Sequence, residues 1–129
     1  MKNYSEFHDG FLEGLRIDKD AKVVHVYLCT LDKERTTAVL TGVVMLKAGG
    51  FREGNIILEV STRDSDEITL ADIAELYELD YGHEPKRWEQ KLMERVGEQN
   101  LQILDVSASY GGTCSILAQT IEFVTGEYR

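Results

Sequence analysis

Apolar and polar residues alternate with a period of two through most of this chain, and the period lengthens to a helical one only between residues 64 and 97. The clearest alternation is Val23–Thr30. Val24, Val26 and Leu28 occupy one face and Val23, His25, Tyr27 and Cys29 the other. Bulk on both faces predicts a central strand. Phe11–Ile17 alternates more loosely, and Gly10 and Gly14 mark a bend or bulge. After the polar turns Asp18-Lys19-Asp20 and Leu31–Arg35, the segments Thr36–Lys47 and Ile56–Thr62 read as two more strands. Gly42 interrupts the first of these, as a bulge or a close backbone approach does. These four strands suggest an antiparallel meander. Leu101–Tyr110 and Thr113–Val124 then form a hairpin over Gly111-Gly112, a pair suited to the positive φ angles of a type I′ turn. Val106, Ala108 and Tyr110 share a face of its first strand, and Leu117, Ile121 and Phe123 a face of its second.

The helical stretch begins at Thr69-Leu70-Ala71-Asp72, which has capping-box spacing with Asp in place of Glu. Leu70, Ile73, Ala74 and Tyr77 follow at helical intervals. Pro85 is suited to open a second helix, Trp88, Leu92 and Val96 make its narrow apolar stripe, and Gly97 is placed to end it. The order ββββ-α-α-ββ is the α+β pattern. It predicts one domain over residues 1–129, built on a mainly antiparallel six-stranded curved sheet or open barrel, with a two-helix excursion before the C-terminal hairpin.

Charge narrows the function. Residues 64–98 hold eleven acidic against four basic residues, so −7 of the chain's net −9 sits there. Phosphate recognition needs concentrated Lys and Arg, so nucleic acid is not an expected partner, whereas a basic protein is. No run of eighteen apolar residues and no signal-like N-terminus is present, so neither a membrane span nor export is expected. Cys29 and Cys114 lie within strands and outside CxxC spacing, which predicts buried free thiols and a cytoplasmic protein.

No reaction is readable from the motifs. His8-Asp9 lacks further ligands in HxxxH or HxH spacing, so a structural pair is expected, with Asp9 accepting backbone N–H bonds and His8 capping a sheet edge. Cys114 has no local histidine, Ser107, Ser109 and Ser115 lack a nucleophile elbow, and the glycine pairs match no phosphate loop. No catalytic residue, metal or cofactor is therefore expected. Tyr77, Tyr81 and Trp88, set among carboxylates, would make an acidic-aromatic surface if exposed.

Three segments together resemble a known group: His8-Asp9-Gly10 with Phe11 and Leu12, Gly54-Asn55-Ile56-Ile57, and Ser109-Tyr110-Gly111-Gly112. The combination is similar to small, mostly uncharacterised bacterial β-rich proteins, some of them like immunity proteins of polymorphic toxin systems. The resemblance implies a β-rich scaffold that neutralises a toxin by binding it. The leading expectation is a non-catalytic protein-binding module that meets a basic partner through Glu75, Glu78, Tyr81, Trp88, Glu94 and Glu98. Glu75 and Glu78, like Glu94 and Glu98, are spaced to share a helix face. The alternative is a ligand-binding or enzymatic β-barrel with a pocket near the Ser107–Gly112 turn, formed by His8, Asp9, Ser107, Ser109 and Tyr110. A third is a homo-oligomeric structural protein that pairs sheet edges.

Overall fold

The protein is described by a computed structural model over residues 1–79 and 84–129. Its strands are β1 (Lys2–Asn3), β2 (Phe11–Asp18), β3 (Val23–Cys29), β4 (Arg35–Gly49), β5 (Ile56–Arg63), β6 (Gln102–Tyr110) and β7 (Thr113–Thr125). Helices α1 (Leu70–Leu76) and α2 (Arg87–Glu98) separate β5 from β6. All pairings are antiparallel, in the order β1-β5-β2-β3-β4-β7-β6, and β5 also pairs with β6. The sheet therefore curls into a ring. The six long strands match the alternation, and the two-residue β1 is a seventh, too short to leave a periodic signal.

Strand order departs from a meander. The chain runs β2-β3-β4 as expected, but β5 does not join β4. The terminal hairpin takes that place, with β7 against β4 and β6 against β5. Both hairpin strands carry apolar positions on both faces, and both are covered: Leu104, Val106, Ile116 and Ala118 fill the ring, and Ile103 and Leu117 lie under the helices. Leu40, Ile116 and Ala118 are fully buried within the ring, together with Val24, Val26 and Leu28 of β3. At the end of the ring, Tyr4 and Phe7 lie over Phe123, with ring centroids 4.4 and 6.4 Å away.

Gly42 adopts φ 63° inside β4, and a side chain there would collide with Gln119 of β7. A bulge follows between Val43 and Met45. The reset of the two-residue period turns Val44 and Met45 outward to a second cluster, while Leu40, Val43 and Leu46 remain on the ring interior. A further break in the period, between Ala118 and Ile121 opposite Gly42, separates residues expected to share a face of β7. Leu117 packs outward with the helices, and Ile121 and Phe123 point inward. The expected irregularity in β2 is present as a bulge between Leu12 and Gly14. Gly10 is required by close approach, since a Cβ there would lie 2.2 Å from the Cys29 carbonyl oxygen.

The helices cover the outer face of the sheet through Ile73, Leu76, Leu92 and Val96, which pack on Ile103 and Leu117. Thr69 caps α1 as its spacing predicts: Asp72 N donates to Thr69 Oγ1, and Thr69 N donates to Asp72 Oδ2 at 2.7 Å. Helix α2 starts after Lys86, so Pro85 precedes the cap and does not open the first turn. Gly97 lies within the helix. Asn100, at φ 51°, ends it, and the Leu101 N–H returns to the Val96 carbonyl. Asparagine tolerates the left-handed conformation, so glycine is not needed. Among the described residues no helix is long and apolar enough to cross a membrane.

Candidate functional site

The terminal hairpin does not close as a type I′ turn. Only Gly111 has positive φ (84°), and the last β6–β7 pair is Val106 with Cys114. Beyond it the strands part. Ser107, Ala108 and Tyr110 pair with β5 alone, whereas Thr113 pairs with β4 alone. Each half of the hairpin has a partner on its far side, and these partners diverge as the sheet curls.

On the outer face, where the strands part, lies an open cleft of about 510 Å³ between the sheet and α1. Its floor follows a cross-strand row, Asp105–Ser115–Lys47, one residue from each of three neighbouring strands. Ser115 Oγ donates to Asp105 Oδ1 at 2.5 Å. Arg63, from the end of β5, joins floor to wall: Nη2 donates to Asp105 Oδ2 at 2.9 Å and Nη1 to Asp72 Oδ1 at 2.5 Å. Burial of Asp72 acts to raise its pKa. The bonds from Thr69 and the charge and bonds of Arg63 outweigh it and hold the carboxyl below its ordinary value. Lys47 crosses the opposite lip, where Nζ donates to the Glu75 carbonyl at 3.3 Å and stands 3.7 Å from Glu78 Oε1.

Glu78 sits on this lip in a strained conformation. Helix α1 stops at Leu76, and Glu78 takes φ 55° while its N–H bonds the Glu75 carbonyl and that of Leu79 the Ala74 carbonyl. This is a Schellman ending with a glutamate where glycine is usual. Glu75 and Glu78 both line the cleft, but they do not share a helix face, because Glu78 is beyond the helix. Glu94 and Glu98 are exposed on α2 and do not line it. Trp88 is 41 % exposed and meets Tyr77 edge to face at 5.0 Å. Tyr81 lies outside the described residues. Glu89, which the sequence did not single out, is 1 % exposed, and its carboxylate accepts the Lys86 N–H at the head of α2.

Of the residues expected to form a pocket near the turn, Ser107 alone lines the cleft. Ser109 Oγ donates to the Ile56 carbonyl, and Tyr110 OH to Glu53 Oε1 at 3.0 Å. His8 Nδ1 donates to the Leu58 carbonyl at 2.7 Å, the edge-capping role expected of it. Asp9 works through its backbone: its N–H donates to the Ile57 carbonyl, and its carboxylate stands 3.6 Å from His8 Nε2. The buried thiol of Cys114 faces the ring interior, and burial, with Asp105 adding to it, pushes its pKa up to about 12, far from that of a nucleophile.

The segments that carry the resemblance meet at the closure of the ring. Asn55 is its centre: Oδ1 accepts the N–H groups of Arg52 and Gly112, and Nδ2 donates to the Leu12 carbonyl. The Leu12 N–H donates to the Asn55 carbonyl, and the Gly10 carbonyl accepts from Ile57. Gly111 leaves the room this latch needs, since a Cβ there would lie 2.5 Å from Asn55 Oδ1. Three motifs distant in sequence thus tie β2, β5 and the turn together, which is structural work. Asp105 and Arg63 escaped the sequence reading, although a lone carboxylate in the apolar run of β6 was a usable signal. No protein family, curated protein or solved structure gives a match to this chain.

Proposed function

We propose that the chain is a non-catalytic protein-binding module, of the immunity type, that meets a basic partner in the cytoplasm through the acidic end of α1 and the adjoining face of α2. The observation that carries this reading is the company Trp88 keeps. Its exposed ring abuts Tyr77, which directly precedes Glu78 and follows Glu75 by two residues, and both glutamates line the cleft. An exposed tryptophan beside unburied carboxylates supplies an anchor and a steering charge, the two elements a protein interface needs. Arg63 adds no net positive field, because Asp72 and Asp105 both pair with it. The site therefore remains acidic and disfavours phosphate. The cleft volume also suits a small polar ligand, and its hydroxyl and ion-pair walls favour that as the second reading.

Affinity capture followed by stopped-flow association with the captured partner tests the first reading. Reversing charge at Glu75, Glu78, Glu94 and Glu98 should slow association by about tenfold or more and flatten its salt dependence, with the fold intact. A wild-type rate at low ionic strength would refute it and leave the cleft as a ligand site.

A further inference from the structure

We propose that two copies of this chain associate by antiparallel pairing of their β2 strands, with Ile17 on the two-fold axis. Strand β2 pairs with β3 along its whole length but with β5 only at Phe11, so among the described residues nothing pairs with its outer edge from Gly14 to Asp18. An open edge is a template for another strand, and proteins guard such edges with charge, proline or bulges. The bulge at Glu13 guards only the start of this one.

Beyond the bulge the edge complements itself. Ile17 is 59 % exposed and stands between Arg16 and Asp18, both exposed. With Ile17 opposite Ile17 of a second copy, each Arg16 faces an Asp18 and each Asp18 an Arg16. Opposite charges directly across an antiparallel pair stabilise it, and like charges destabilise it. Moving the axis to Arg16 would set arginine against arginine. Asp18 Oδ1 already accepts the Ala21 N–H, which leaves Oδ2 for the incoming guanidinium. Of the other open edges, β7 beyond Ala118 carries Glu122 as its one charge and β4 beyond Val43 carries Lys47, so neither offers such a match. The pairing is isologous and therefore closes at two copies. The free edge is short, so the dimer belongs to the weak class of interfaces. This inference is independent of the acidic surface on α1 and α2.

Sedimentation equilibrium up to millimolar concentration provides the test. The wild-type chain should approach twice its 14.6 kDa mass. Arg16→Asp and Asp18→Arg should each weaken association by about tenfold or more, and the double variant R16D/D18R should restore it. Ile17→Cys adds a geometric check. Residues opposed in an antiparallel pair have Cα atoms roughly 4.5–5.5 Å apart, within the roughly 4.4–6.8 Å that a disulfide spans. It should cross-link rapidly on oxidation, and Leu31→Cys, equally exposed but off the axis, should not. Cys29 and Cys114 are buried and will not compete. A chain that stays monomeric throughout, or a folded R16D/D18R variant that fails to recover association, overturns the proposal.

Discussion

Replacing Arg63 by methionine keeps most of the side-chain volume and removes the guanidinium that ties Asp72 of α1 to Asp105 of the sheet. Arg63, Asp72 and Asp105 retain 22, 16 and 30 % side-chain exposure. The cluster thus lies between an exposed pair, worth roughly 0–1 kcal/mol, and a buried one, whose disruption costs roughly 3–5 kcal/mol. The loss at pH 7 should be about 2 kcal/mol, an intermediate value. Its pH dependence follows from Asp72. Because the folded pKa is depressed below the ordinary 3.8, the stabilisation is fully present above that value and is lost as pH falls through the lower folded one. Urea unfolding should therefore separate variant from wild type at neutral pH, and the gap should close as acid protonates the carboxyl. A loss below about 0.5 kcal/mol at pH 7, the ordinary scatter of surface substitutions, would refute the clamp. So would a gap that persists unchanged in acid.

Two further substitutions probe the fold around the site. Asn55→Ala leaves the N–H groups of Arg52 and Gly112 and the Leu12 carbonyl without their partner, and should cost about 2–4 kcal/mol in urea unfolding. Glu78→Gly should instead stabilise by about 1 kcal/mol, read as a higher Tm, because it relieves the left-handed glutamate.

The sequence alone determined where the strands and helices lie. The alternation at Val23–Thr30 and the Thr69–Asp72 box are local patterns, and each depends on residues a few positions apart. They held because the backbone period and the cap chemistry need no distant partner. Gly42 announced a bulge for the same reason, though not that it would turn Val44 and Met45 toward the helices. What tertiary structure decided was everything that depends on distant partners. Arg63 and Asp105 are 42 positions apart, and nothing in either segment names the other. Strand order, the splayed hairpin and the cleft between β6, β7 and α1 all follow from non-local pairing. Such pairing is chosen by the joint fit of whole faces, and a single strand's pattern is compatible with several neighbours. The motifs around His8, Asn55 and Gly111 lie far apart in sequence, and no local pattern joins them. Only the folded ring reveals that they converge to close it.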